Sequence, residues 1–569
     1  MTYSCHRLWF GAALIVAAAS GAAHAADLAK LPVKAPPVTP WNWTGFYAGV
    51  HAGSGLGFSE IGDPYGTSIY GDKIRTPAFM LGGQVGYNWQ PAGSPWVFGL
   101  EGELSWLDAD GTVTCFAPTG QMTSSTCSAR PQYTGTLTGR VGYALGPAQR
   151  TLVYGKGGAA FVHNRIDATT NNGFGLFPIT TNDTSNTSWG WTLGAGVEQA
   201  LSPAWSLKLE YDYRHFADAT LATPSTFTTT PDGNTTAPVA ASSTSVRQSM
   251  HTVKLGLNYH FGAPVNATWG ADSYAAMAMA AATPSDSGWK VEVGGRYWYS
   301  SGRFQKDLPG TNVSSTSAIS RLTYADLTGH SGEVFARIDT PWLVFVKGYA
   351  GAGKITSGRM NDEDWGITGN NGAPPYIGYS NTLSNLSSTD MNYQTIDIGV
   401  KLLQGPGFNL GPFVGYNRVH EQYAATDCAQ TASPTSGICT QTISNTAVIT
   451  ETDTWQSLRV GAAGDVWLAR RWRLTGDIAY LPYVQFSGVD NHWLRSLVID
   501  ESGRGRGVQM EAFVSYYVTP QFSIGVGARY WSMWTTSGLD YFNGSQTSRS
   551  DTYRYERFGG LLQASYTFD

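Results

Sequence analysis

Charge is what this chain of 569 residues has least of. Asp, Glu, Lys and Arg make up 14% of it, against about 25% in an ordinary soluble protein. The net charge of -5 carries no basic excess of the kind that nucleic acid selects. Long apolar runs are missing too. Beyond the N-terminal segment nothing reaches the roughly 18 apolar residues of a spanning helix, so a passage through a membrane falls to strands. Cysteine is scarce, five residues in all. The chain offers no glycine-rich phosphate loop, no His/Cys cluster at metal-ligand spacing and no nucleophile motif. Ser380 lies in a predicted loop near several acids, with no histidine at a neighbouring position to activate it.

What is plentiful is Gly (68), Tyr (30) and Trp (20), the composition of transmembrane strands with aromatic girdles. Residues 1–25 read as a secretory signal: Arg7 gives a positive start, Trp9 to Ala19 an apolar stretch, and Ala23-His24-Ala25 a cleavage site. Cys5 leaves with that segment. The others form two local pairs, Cys115 with Cys127 and Cys428 with Cys439, each closing a loop rich in Ser, Thr and Pro. In an oxidising compartment two disulfides are expected, with metal binding as the weaker reading.

Residues 26–40 form a Pro-rich lead. Alternating segments then predict strands near 45–59, 75–90, 96–109, 131–145, 151–166, 188–200, 205–217 and 248–261, an even number as a bacterial barrel requires. Trp205 to Arg214 is the clearest. One face reads Trp, Leu, Leu, Tyr, Tyr and the other Ser, Lys, Glu, Asp, Arg, which predicts lipid outside and a polar lumen inside. The same parity turns Glu101, Glu103, Arg140, Lys156 and Glu198 inward. Charges of both signs in so narrow a barrel predict a paired, filled interior and no pore. The opening Trp43-Thr44-Gly45-Phe46-Tyr47-Ala48-Gly49 and the closing Leu255-Gly256-Leu257-Asn258-Tyr259-His260-Phe261 resemble the small porin-like surface antigens of alphaproteobacterial outer membranes, over about 41–262.

Residues 263–287, rich in Ala, Ser and Pro, predict a periplasmic linker with room for a short helix around 274–282. A second series follows near 289–304, 318–339, 343–360, 392–404, 408–425, 453–468, 471–488, 506–518, 521–535 and 554–568. The fold class expected is therefore all-β, two tandem antiparallel transmembrane barrels. Leu562, Ala564, Tyr566 and Phe568 share a face, resembling the aromatic last strand that outer-membrane assembly machinery recognises, although Asp569 follows. If the first strand of this second barrel rises from the periplasm, Asp362-Glu363-Asp364 follows the third strand and Asp490-Asn491-His492 the seventh. Both then stand at the extracellular end, and in each the outer two residues share a face.

Those residue types suit hydrolysis. A histidine takes a proton from water, and a carboxylate beside it fixes its tautomer and stabilises the imidazolium. Two carboxylates on one face favour holding one proton between them. His492 is thus assigned as general base, Asp490 as its orienting partner, and Asp362 and Asp364 as the pair that holds the water and assists the carbonyl oxygen. The same stretches resemble the omptins, a family of ten-stranded outer-membrane endopeptidases. Asn361-Asp362-Glu363-Asp364-Trp365 matches their acid-x-acid-Trp and Asp490-Asn491-His492 their Asp-x-His. Ser320-Arg321-Leu322-Thr323-Tyr324, Val414-Gly415-Tyr416 and Tyr516-Tyr517-Val518-Thr519-Pro520 agree in order, over about 288–569.

The resemblance implies an aspartic-type endopeptidase acting on extracellular polypeptides from the outer membrane, with those four residues catalytic, no metal, and a need for lipopolysaccharide. Two departures bear on substrate. Gly488 stands where the family's dibasic-cutting members carry an acid, and Arg303-Phe304-Gln305-Lys306 stands where they carry another. Arg418 and His420 keep part of a basic outer wall, and Arg504 and Arg506, set among Gly503, Gly505 and Gly507, either meet phosphate or flank a turn. Glu363 and Asn491 have no role in the scheme. The competing readings are a non-catalytic surface barrel or adhesin, and a small-solute porin.

Overall fold

A computed structural model describes residues 40–64, 71, 73–116, 125–171, 180–229, 236–262, 288–309, 318–368, 376–405, 407–432, 439, 443–546 and 551–568. The expected signal, nearly all of the Pro-rich lead, the linker and its helix, and Asp569 lie outside the described residues.

The alternation of the first half folds as it reads. Its strands are β1 (Gly45–Ile61), β2 (Lys73–Trp89), β3 (Trp96–Ala109), β4 (Gly111–Cys115), β5 (Ser125–Leu145), β6 (Thr151–Thr170), β7 (Thr181–Ser202), β8 (Trp205–Thr223), β9 (Thr226–Thr229), β10 (Thr236–Val239) and β11 (Ser242–His260). Each long strand pairs antiparallel with the next, β11 returns to β1, and β3 pairs with β5, so the sheet closes. β4 is a short upper continuation of β3 along β5. β9 and β10 form a hairpin of their own. Val50, Leu100, Leu137 and Leu193 face outward and are exposed, the side that lipid covers in an outer-membrane barrel. Inward, Glu101, Glu103, Glu198, Glu210 and Asp212 meet Arg140, Lys156, Lys208, Arg214 and Lys254, all buried. Lys254 Nζ reaches Glu103 at 2.6 Å and Lys208 Nζ reaches Glu101 at 2.9 Å. The interior expected to be paired and filled is both.

The second half gives β12 (Lys290–Pro309), β13 (Ala318–Asp339), β14 (Val344–Thr368), β15 (Tyr376–Leu386), β16 (Thr389–Val400), β17 (Leu403–Gly405), β18 (Phe408–Ala432), β19 (Ile449–Ala469), β20 (Trp472–His492), β21 (Leu497–Tyr517), β22 (Phe522–Phe542), β23 (Ser545–Gln546) and β24 (Thr552–Phe568). β12 pairs with β13 and β24, and β13 pairs with β14, which closes the second ring. β15 and β16 share one strand position, pairing in turn with the upper and lower parts of β14 and β18.

Three expectations are corrected here. The strands run further than the apolar alternation, because the upper parts carry polar residues on both faces, so both acidic motifs lie within strands and not after them. Ser380 sits on β15 opposite Asp364, and not in a loop. Arg504 and Arg506 lie inside β21, with a bulge beside them and no turn. Both disulfides form, Cys115–Cys127 and Cys428–Cys439.

Outward-facing Val334, Ile396, Val460, Val526 and Leu562 are exposed and form the apolar band of the second barrel. Lys354, Gln485 and Arg504, outward and exposed, mark its upper edge. The lower lumen is bridged by Arg459, whose Nε and Nη2 each donate at 2.9 Å, to Asp397 and Asp477, and by Arg529, which reaches Glu333 at 2.7 Å. Above lie aromatic layers, Trp298, Tyr393 and Trp531, then Phe304, Tyr324, Tyr423 and Phe486. They form the floor of an acidic mouth. Residues Pro40–Asp569 make one compact unit, in which the two barrels touch above their apolar bands.

Candidate active site

β14 and β20 each run past the apolar band and carry two ionisable residues on the lumenal parity. Asp362 lies in register with Leu322 on β13 and Thr382 on β15, and Asp364 with Ser320 and Ser380. Asp490 lies opposite Glu451 on β19 and Ile499 on β21, and His492 opposite Ile449 and Leu497. A 3-10 turn, Trp493–Arg495, follows at once, with Trp493 turned outward and His492 buried on the inner side.

His492 Nε2 and Asp490 Oδ2 are 3.0 Å apart. Asp490 is fully buried, whereas Asp362 and Asp364 are half-buried at the mouth. Asp362 Oδ1, Asp490 Oδ1 and the Tyr324 hydroxyl are buried without a protein hydrogen-bond partner, so their capacity is open to water or a bound chain.

The electrostatics divide the four residues. Burial pushes the Asp362 carboxyl up, and the charge of Asp364 adds to it, to about 7. Burial acts upward on Asp490 as well, but His492 and Lys306 outweigh it and hold that carboxyl well below the usual range. Burial pulls His492 down, yet the Asp490 carboxylate, with Asp362 behind it, raises the imidazole above its ordinary value. His492 and Asp362 therefore act on each other across the mouth. Asp490 thus holds its charge beside His492, while Asp362 keeps a proton to near neutral pH.

Lys306 is the residue that sequence reasoning missed. It was read only as the absence of an acid, although it shares strand parity with Trp298 and Phe304, which point into the lumen. Its ammonium, buried, contacts Asp490 Oδ2 closely, Glu501 Oε1 at 2.5 Å and Glu451 Oε2 at 3.7 Å. Burial pulls this lysine down, but Asp490, Glu501 and Glu451 together raise it well above the usual lysine range. Gly488, the other departure, also reads differently in place. A Cβ there would fall 3.0 Å from Glu501 Oε2 and 3.1 Å from Asp453 Oδ1. The missing side chain leaves room for acids from the flanking strands. Glu451, Asp453 and Glu501 stand together at this height, and burial first, then their mutual repulsion, raises all three well above the usual carboxylate range.

Ser380 is bound by Gln430, whose Nε2 donates to its hydroxyl at 2.8 Å. Arg418 and His420 lie on the outer wall with neutral partners, Asn392 at 3.0 Å and Thr454 at 2.9 Å.

A family model described as an outer membrane protein beta-barrel domain matches residues 12–261, and the Omptin family model matches residues 341–563. The 31 kDa outer-membrane immunogenic protein of Brucella melitensis is 31% identical over 258 residues, 44% of this chain and 98% of that protein. The 22 kDa outer membrane protein of Rhizobium leguminosarum is 31% identical over 183 residues, 32% of this chain and 68% of that protein. Among solved structures, the outer membrane protease OmpT from Escherichia coli is similar over 49% of this chain and 97% of its own, with 17% identity and a TM-score of 0.41. The chain thus joins two outer-membrane barrels of a Gram-negative bacterium: its second half resembles the Omptin family, whose model it matches over residues 341–563, and by its first half it belongs to the outer membrane protein beta-barrel family.

Proposed function

We propose that the second barrel is an endopeptidase whose site faces outward, hydrolysing extracellular polypeptides with a water held between Asp490–His492 and Asp362–Asp364. The observation that carries this is the buried Asp490–His492 contact at 3.0 Å above the apolar band, on the same lumenal side as Asp362, whose carboxyl is pushed up to about 7 by burial and the charge of Asp364. Asp490 occupies Nε2, which leaves Nδ1 of His492 to take a proton as the water oxygen attacks the scissile carbonyl. The proton that Asp362 keeps, through its burial and the charge of Asp364, bonds to the carbonyl oxygen as negative charge gathers there. As the C–N bond breaks, His492 returns its proton to the leaving amine, and no covalent intermediate forms.

The substrate is expected to lie across the mouth, because cross-lumen ion pairs and aromatic layers fill the barrel below it. The same filling argues against a porin. Outer-membrane lipid surrounds both barrels, and lipopolysaccharide belongs in the assay on the family's resemblance. The test is cleavage of a peptide library by the full chain, refolded with lipopolysaccharide, beside His492→Ala and Asp362→Ala. Loss of the base is expected to lower kcat about 10²- to 10⁴-fold. Equal turnover in all three proteins, or none in any, leaves the surface-barrel reading standing instead.

A further inference from the structure

The outer wall of the second barrel carries Asp307, Arg321, Glu363 and Arg554 above its apolar band, facing away from the lumen and nonetheless buried. The first barrel buries them. Thr114 on β4 donates through Oγ1 to Glu363 Oε2 at 2.8 Å and accepts from Arg321 Nη1 at 2.6 Å. Thr112, on the same face of β4, donates to Asp307 Oδ2 at 2.5 Å and accepts from Gln305 Nε2 at 2.8 Å. Arg321 also reaches Thr126 on β5 at 3.4 Å. Asp110 receives Arg554 Nη2 at 2.5 Å, and Asp108 receives the Tyr480 hydroxyl at 3.1 Å and Arg506 at 3.3 Å. Arg75 closes on Glu556 at 2.6 Å.

Below this seam the walls part around an apolar crevice of about 630 Å³, lined by Leu209, Val253 and Leu255 of one barrel and Ile478, Met510 and Phe558 of the other. Polar contact thus sits where water would otherwise be, and apolar surface where lipid is.

Glu363 stands between Asp362 and Asp364 on one strand, in register with Arg321 on β13. Glu363, left outside the catalytic scheme by its direction, is the outward member of the motif that meets the first barrel. We propose that the N-terminal barrel is a docked positioning element, whose β4 edge holds the β13 and β14 tips through Thr114, Arg321 and Glu363. A buried carboxylate and guanidinium are costly unless fully bonded, so removing the threonine hydroxyls loosens the tips that present Asp362 and Asp364. Its effect on catalysis rests on the endopeptidase reading; the dock itself does not.

Three measurements on the full chain decide it. A site-specific protease sequence placed in residues 263–287 allows nicking after folding in detergent, and the halves are expected to elute as one particle; separation overturns the dock. Thr112→Val with Thr114→Val is expected to speed backbone hydrogen exchange about tenfold in peptides spanning 318–326 and 358–366, with Ser at both positions restoring protection. Unchanged exchange in the Val variant overturns the positioning role. That variant is also expected to lose about tenfold in kcat with KM within twofold, and an unchanged kcat counts against the dock's reaching the site. If wild type cleaves nothing, the endopeptidase reading falls while nicking and exchange still judge the dock.

Discussion

The lumen of the first barrel and the mouth of the second solve the same problem, buried charge, in opposite ways. In the first lumen acids and cations alternate, so that Lys254 alone lies within 2.6–2.7 Å of Glu103, Glu210 and Asp212. At the mouth of the second, Asp362, Asp364, Glu451, Asp453, Asp490 and Glu501 outnumber the nearby cationic side chains, Lys306, His492 and Arg495. A balanced network offsets the cost of burying each charge with a partner, so that losing any one of them is penalised. An acid-rich one keeps protons that its groups would otherwise lose near neutrality, and is ready to move them.

Breaking the balanced side has the largest expected effect. Lys254→Met leaves Glu103, Glu210 and Asp212 short of a cation in a closed lumen, and losing one partner of a buried ionic network costs about 3–5 kcal/mol. A matching fall in the temperature at which the compact form disappears from unheated gels is expected. An unchanged transition means that the filled lumen does not hold that barrel together.

The corresponding change at the acidic mouth is expected to have the opposite sign. Both oxygens of Glu451 lack a protein hydrogen-bond partner, and burial holds its pKa well above the ordinary 4.5. A carboxyl of raised folded pKa keeps the full stability of its protonated form below the unfolded value, and that stability is lost as pH climbs toward the folded one. Glu451→Gln removes the penalty, worth about 1 kcal/mol for a poorly satisfied buried group. The variant is expected to be more stable than wild type at pH 8 and indistinguishable at pH 4. A loss of stability at pH 8 equates the two networks and ends the contrast.

Much of this was legible in the sequence because barrels write their faces into every second residue. Trp205 to Arg214 announces lipid on one side and lumen on the other, and counting rising and descending strands brings Asp362, Asp364, Asp490 and His492 to one end, with parity putting each pair on one face. What was hidden depends on neighbours across the sheet. Parity turns Lys306 inward but does not say that Asp490 is its partner, since the two are brought together by ring closure through β24, β22 and β21. Gly488 reads as a lost acid until Asp453 and Glu501 are seen filling its place. Glu363 reads as idle because its partner, Thr114, belongs to the other barrel. The upper half of the fourth strand, β15, was missed because above lipid each of its faces mixes polar and apolar residues, and no alternation marks it.

The smallest effect sharpens the comparison most, because it asks whether Lys306 is a structural cation like Lys254 or part of the proton chemistry. His492 is faced by Asp490 on its own strand, Asp362 from β14 and Lys306 from β12, with Glu451 and Glu501 on the flanking strands beyond. Among these, Lys306 works against the imidazolium and the carboxylates work for it. Only neutral His492 accepts a proton from water, so kcat/KM is expected to rise with pH through its raised pKa. The proposed mechanism uses the proton of Asp362 at the carbonyl oxygen, so a fall is expected above about 7 as Asp362 ionises. In Lys306→Met the opposing charge is gone, His492 holds its proton to higher pH, and the rising limb moves up while Lys306→Arg leaves it in place. The falling limb, set by the burial of Asp362 and its neighbour Asp364, stays where it was. A lysine that merely fills space lowers the whole profile evenly; a displaced rising limb assigns Lys306 to the tuning of the base.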